Sequence, residues 1–181
     1  MRYQNHSLSN ASFSECGFFR WNLQRTLSNR KNKIIFVGLN PSKASKDCAD
    51  PTLKRLMSFS KRFGYGSLIV VNLFARVGSS PSILRKCSDP VGKNNDRELF
   101  KYASEWSRNP LNDLWLGWGN KGVWHNRNVD VMRFLKKHSI NRLNQYPHAL
   151  GPLALGVTRK GHPRHPLYAS YREVLRPFNL N

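Results

Sequence analysis

Acidic residues are scarce in this chain. Ten Asp and Glu stand against thirty Lys and Arg in 181 residues, a formal charge of +20, and that imbalance calls for a polyanionic partner, nucleic acid before membrane. The basic residues run along the whole chain rather than crowding into a tail, which weighs against a merely soluble basic surface. DNA is expected before RNA, and a monomer is expected. Cysteine is nearly absent as well. Cys16, Cys48 and Cys87 are far apart, odd in number and without CxxC or Cys/His spacing, so metal and iron–sulfur sites drop out and no cofactor is expected. Long apolar runs are missing too: the longest falls well short of a membrane span, and no charged-then-apolar signal opens the chain. The expectation is a cytoplasmic protein with reduced thiols.

What is present suffices for one core. Apolar residues make up 39% and aromatics 12% of the chain, which fits a single domain over residues 1–181. The organising stretch is residues 33–42, KIIFVGLNPS, where an apolar, β-branched run breaks abruptly into Gly38, Leu39, Asn40, Pro41 and Ser42. A buried strand ends there and a polar loop begins, at the edge where α/β sheets hold their ligands. Residues 1–32 read as a flap packed on the main sheet, with a short strand pattern over residues 18–23. Arg20, Arg25 and Arg30 read as solvated surface before phosphate contacts.

Asp50-Pro51-Thr52 ahead of Leu53, Leu56, Met57, Ser60 and Phe63 is a helix-start signal, closed by Gly64 and Gly66. Asp50 has two compatible readings, an N-cap and a carboxylate reaching the reaction centre. A second buried strand, residues 67–71, leads into Asn72, whose amide either ties down a neighbouring loop or reads a base edge by giving and accepting one hydrogen bond each. Residues 79–89 read as loop. Asn94, Asn95 and Asp96 offer caps for a helix with Leu99, Tyr102, Ala103 and Trp106 on its core face. A third strand over residues 114–118 closes in Gly119, Asn120, Lys121 and Gly122, glycines that allow backbone to approach a ligand. A helix over residues 126–138 would leave His138 as a helix-end cation. A weak fourth strand, residues 152–157, then feeds the densest polar loop, KGHPRHPLY over residues 160–168. Two His-Pro dipeptides beside Lys160 and Arg164 suit a rigid loop in which His162 or His165 donates a hydrogen bond to an anionic leaving group.

In this order the segments resemble the uracil-DNA glycosylase superfamily. GLNPS is similar to its first motif, nearest to the mismatch-specific branch in which Asn takes the water-positioning place. VVNLFAR (residues 70–76) is similar to the strand whose Asn reads the uracil edge. LGWGN (residues 116–120) resembles the Trp-Gly turn, and HPRHPLY (residues 162–168) the His-Pro-Ser loop that contacts the base and enters the minor groove. More closely, and over most of its length, the chain resembles an uncharacterised bacterial and viral family carrying NPS, DPT, NLFA and HPLY. The chain departs from the glycosylase pattern in having no carboxylate in the place of Asn40, in the Arg-His pair that interrupts the last motif, and in lacking the cysteine set of the iron–sulfur branches.

The resemblance implies a three-layer α/β/α domain with a central, mainly parallel four-stranded sheet. It also implies hydrolysis of the N-glycosidic bond of a damaged, mismatched or modified base. In that reading Asn40 orients water, His162 or His165 donates to the base, and Asn72 reads its edge. Leu39, Pro41 and Ser42 lie beside the base, Phe74 or Tyr168 stacks on it, and Lys43, Arg76, Asn120, Lys121, Lys160 and Arg164 meet nucleic acid. Two other classes stay open: a nucleic-acid or nucleobase-binding module without turnover, and a hydrolase of free nucleosides or nucleotides.

Overall fold

The computed structural model describes residues 9–42, 50–78 and 80–180. Its centre is the apolar strand read first in the sequence, β3 (Lys33–Gly38), with β4 (Ser67–Asn72) parallel on one side and β5 (Asn112–Leu116) parallel on the other. Side chains alternate across these strands, and both faces are apolar because both are covered. Ile34, Phe36, Leu68, Val70 and Trp115 pack with Leu53, Leu56 and Phe59 of α1 (Pro51–Arg62). Ile35, Val37, Ile69, Val71, Leu114 and Leu116 face α3 (Asn95–Ser107) and α4 (Arg127–Gln145), with a four-residue α2 (Ile83–Lys86) nearby. Trp115 anchors the α1 side, its ring edge-on to Phe36 at 4.9 Å and to Phe59 at 5.9 Å.

The sheet is larger than the four strands expected. Among the described residues, seven strands form one sheet in the order β1-β2-β4-β3-β5-β6-β7. Four of them, β4, β3, β5 and β6 (Leu153–Ala154), are mutually parallel. Antiparallel strands extend both edges: β1 (Ser9–Phe13) and β2 (Arg20–Thr26) beyond β4, and β7 (Arg176–Pro177) beyond β6. The described part of the expected flap is therefore built into the sheet rather than laid on it. Strand β2 takes up the strand pattern read over residues 18–23, but starts at Arg20 and runs on to Thr26, and both its faces are covered: Leu23 faces α1, while Asn22 donates to Glu98 at 2.9 Å and Gln24 to the Tyr102 hydroxyl at 2.9 Å on α3. Arg20 and Arg25, read as solvated surface, are 3% and 5% exposed.

Two further boundaries moved. Helix α4 continues well past residue 138, so His138 is not a helix-end cation; it sits mid-helix beside the Phe100 ring at 5.0 Å, with Nδ1 3.3 Å from the Ser107 hydroxyl. The fourth strand shrinks to two residues because the chain turns at Gly156, whose φ of +97° suits glycine. Among the described residues, no helix is long and apolar enough to cross a membrane.

Because β4 lies on one side of β3 and β5 on the other, and α1 and α3 cover opposite faces, a switch point forms between β3 and β5. The crevice outside the carboxyl ends of such strands is where an open α/β sheet leaves room for a ligand.

A candidate active site at the strand ends

A cleft of about 640 Å³ occupies that crevice. Its walls come from the loop after β3, the first turn of α1, the end of β4, the turn after β5 and the His-Pro loop. Asp50 sits where the second of these begins. Its backbone is extended, its carboxylate accepts the Leu53 amide at 2.7 Å, and Pro51 occupies the first helical position. The same residue lines the cleft, so the cap and the cleft carboxylate are one group.

Asn40 also lines the cleft. Its Nδ2 donates to the Pro41 carbonyl at 3.1 Å and, more weakly, to that of Gly78 at 3.4 Å. Tethered in this way, the carboxamide has its oxygen left for a ligand or water. Asn72 ends β4 in register with Gly38 and is 4% exposed. Its backbone carbonyl accepts from Asn95 Nδ2 at 3.1 Å, but its own Nδ2 is buried without a partner. A Cβ at position 38 would lie 2.7 Å from Asn72 Oδ1, so the glycine is what gives this side chain its space. Of the two readings of Asn72, loop tying is performed by Asn95, whose amide also reaches the Leu73 carbonyl at 2.9 Å.

The His-Pro loop is a small hairpin. Val157 bridges Pro163, Arg164 N–H donates to the Gly156 carbonyl at 2.9 Å, and Gly161 turns with φ +79°. Thr158 clamps it: its hydroxyl donates to Asn120 Oδ1 at 2.6 Å and accepts the His162 amide at 3.2 Å. Gly119 N–H adds a bond to the Pro163 carbonyl at 2.9 Å. The two histidines separate as a result. His165 lines the cleft, whereas His162 stands outside its lining in the hairpin turn.

His165 Nδ1 accepts the Leu167 amide at 3.3 Å, which leaves the ring proton on Nε2. Burial pushes its pKa down to about 4 from an ordinary 6.5, against a pull upward from the Asp50 charge. Between those two values the unfolded chain binds the proton that the folded one refuses. Stability from this group is therefore complete above pH 6.5 and drains away as pH falls through 4. A proton NMR titration of the His165 Cε1–H should show a midpoint near 4; a midpoint near 6.5 would mean an open, solvated ring.

The remaining residues divide. Leu39, Ser42, Asn120, Lys121, Arg164 and Tyr168 line the cleft, with Tyr168 81% exposed at its mouth and its ring 5.9 Å from that of His165. Arg164 pairs with Glu173 at 3.6 Å. Pro41 is buried behind the wall, where its carbonyl accepts the Gly78 amide at 2.9 Å. Phe74 is fully buried in the core on the α3 side, closed to stacking. Arg76 lies over the Phe18 ring at 4.4 Å, away from the cleft, and Lys160 is exposed but not part of its lining. Lys43 lies outside the described residues.

Sequence reading missed Arg20, Thr158 and Trp118, all in the lining. Arg20 is the most consequential, a buried guanidinium whose pKa burial lowers to about 10 while the Asp50 charge raises it. Nothing in the pattern around residue 20 separates it from surface arginines. Trp118 is the tryptophan of the LGWG turn itself, and Thr158 directly follows the segment read as the fourth strand, which was the available signal. Among the described residues, no group of three or more His, Cys, Asp or Glu is placed to hold a metal ion.

Neither the curated proteins nor the solved structures contain a match to the chain. A family model matches residues 20–167, a span that holds β2, the strand ends, the cleft loops and both His-Pro dipeptides. The chain belongs to the DUF1643 family, described as "Protein of unknown function".

Proposed function

We propose that the cleft takes a nucleobase extruded from DNA and hydrolyses its N-glycosidic bond, on a fold of the uracil-DNA glycosylase kind. The observation that carries this reading is the buried, unpartnered Asn72 Nδ2 in a cleft also lined by Asn40 and His165. An orphaned buried donor costs about 1–3 kcal/mol. That cost is recovered when a ligand brings an acceptor, and the carbonyl edge of a base supplies one beside an N–H for Oδ1.

The chemistry follows from where charge develops. As the C1′–N bond breaks, its electron pair goes to the base and positive charge builds on the sugar. A neutral His165 with its proton on Nε2 donates a hydrogen bond to the charged base oxygen, which needs no imidazolium. The Asp50 carboxylate supplies negative charge to the sugar side, and Asn40 Oδ1 orients the water whose oxygen bonds to C1′. The proton released by that water passes to solvent or to the departing base. Tyr168 at the mouth offers a face for stacking, and Lys121 and Arg164 suit flanking phosphates. The amide at position 40 also favours a second reading, a base-binding module without turnover, since it accepts no proton at neutral pH.

The test is incubation with oligonucleotides bearing uracil, hypoxanthine, mismatched thymine or hydroxymethylated bases, followed by alkali. Strand breaks at the marked base are expected for at least one substrate. Tight binding with no breaks would select the module instead.

A further inference from the structure

Helix α4 carries a buried arginine near each end. Arg142 serves the amino end of β5, where the Asn112 carbonyl is one of its acceptors. Arg127, the first residue of the helix, works at the opposite edge of the sheet, where the strands end and the cleft begins. Its Nε donates to the Leu73 carbonyl at 2.8 Å, and its Nη2 pairs with the Asp96 carboxylate at the start of α3. Asn95, 0% exposed, donates to the same Leu73 oxygen and to that of Asn72. Both acceptor positions of the Leu73 carbonyl are thereby filled, by side chains from two helices. On its other side this segment is bonded to the chain that leads into Asn40. The Leu73 amide donates to the Gly38 carbonyl and the Phe74 amide to that of Leu39, each at 2.9 Å. The backbone just ahead of Arg127 is strained. His125 and Asn126 stand in succession at φ 53° and 54°, a region that residues other than glycine seldom enter. Such strain persists where the surroundings over-determine the backbone. Here it joins the anchored Arg127 to the turn Gly119–Asn126, whose Gly119, Asn120 and Lys121 line the cleft.

We infer that Arg127 is a positioning residue for the proposed reaction, acting through the Leu73 peptide to set Asn72 against Asn40. The inference rests on the reading of the cleft as a base site. In that reading a base edge bonded at Asn72 and a water held by Asn40 must be aligned on the same C1′–N bond, and a displacement of about 1 Å in such an arrangement costs about a hundredfold in rate. Arg127 fixes the peptide that follows Asn72, and that peptide in turn fixes Gly38, two residues before Asn40. The task suits a planar fork, which meets the carbonyl and the Asp96 carboxylate at once, better than it suits a point charge.

The experiment compares Arg127→Met with Arg142→Met in the full chain, each below its melting transition, on oligonucleotides bearing uracil, hypoxanthine, mismatched thymine or hydroxymethylated bases. Two readouts are taken: single-turnover abasic-site formation, and the side-chain amide resonances of Asn40 and Asn72 in the free protein. Arg127→Met should slow abasic-site formation by about a hundredfold and move the Asn72 resonances. Arg142→Met removes a buried guanidinium from the far end of the same helix, so it should change the rate by less than about threefold and leave those resonances in place. Arg127→Lys keeps the charge beside Asp96 without the fork and should lose about tenfold; if Arg127→Met does not fold, this variant decides on the same readouts. Asn72 resonances that stay in place, a rate within about threefold of the unaltered chain, or a loss that Arg142→Met shares would overturn the inference and leave the base site standing. If the unaltered chain neither cleaves nor binds any of the oligonucleotides, the base site falls, and the resonances alone decide whether Arg127 holds Asn72.

Discussion

Alanine in place of Asn40 is expected to reduce abasic-site formation by about a hundredfold, the usual loss when one oriented polar group is taken from a transition state. Affinity for the same oligonucleotide should stay within about threefold, since the variant leaves the proposed base contact at Asn72 untouched. The split follows from how Asn40 is held. Its amide nitrogen is engaged by the Pro41 and Gly78 carbonyls, so the oxygen has one orientation, which in the proposed mechanism holds water toward the sugar. Asn72, which would hold the base, is positioned independently by β4 and by Asn95. Affinity and rate measured on the same oligonucleotide, with rate taken under single-turnover conditions, separate the two effects. Equal losses in both would make Asn40 a base-binding or loop-holding residue, and an unchanged rate would remove it from the mechanism.

The second large effect lies far from the cleft. Arg142→Met should lower stability by about 4 kcal/mol, within the range of about 3–5 kcal/mol for breaking a buried charged network. Arg142 is 0% exposed, and its guanidinium donates to five backbone carbonyls, those of Trp106, Asn109, Pro110, Asn112 and Leu150. Asp113 stands 3.8 Å away as the nearby carboxylate, and the Trp106 ring lies 5.3 Å from the guanidinium carbon. One side chain therefore ties α4 to the end of α3, the start of β5 and the approach to β6. Methionine fills similar space but leaves those carbonyls without their donor, at a cost that neutral packing does not offset. Urea denaturation monitored by circular dichroism measures the loss. A change under about 1 kcal/mol would mean that water replaces the guanidinium at no cost.

The parts of the fold that were legible in the sequence share one property: the pattern and the local chemistry agree. Ile34 to Val37 form an apolar run that ends in Gly38, and the Asp50-Pro51 cap opens α1 with the bond its residue types imply. The illegible parts are those where tertiary partners reverse the apparent polarity. Arg142 lies in a polar stretch yet is 0% exposed, and Asn22 is buried and Gln24 half-buried, each bonded to α3. The second half of β2 follows the same rule, since pairing with β1 and β4 on either side holds the polar residues beyond Leu23 in the sheet. At the cleft, Asn40, Asn72 and His165 were legible because each follows a strand or lies in a loop rich in proline and histidine. Arg20 was not, because what marks it comes from tertiary neighbours distant in sequence, the Asp50 charge and the Ser42 carbonyl. Phe74 misled in the opposite direction: it follows the cleft residue Asn72 by two positions but packs into the core on the α3 side.

The central claim is that a base edge meets the Asn72 amide at the end of β4. The most direct measurement follows the side-chain amide protons of Asn72 by nitrogen-edited NMR during titration with an oligonucleotide carrying the base that the chain cleaves or binds most tightly. A downfield shift of one Asn72 Nδ2 proton that saturates with the binding curve is the expected result. An Asn72 resonance that stays still while residues elsewhere shift would place the ligand outside this cleft and contradict the account.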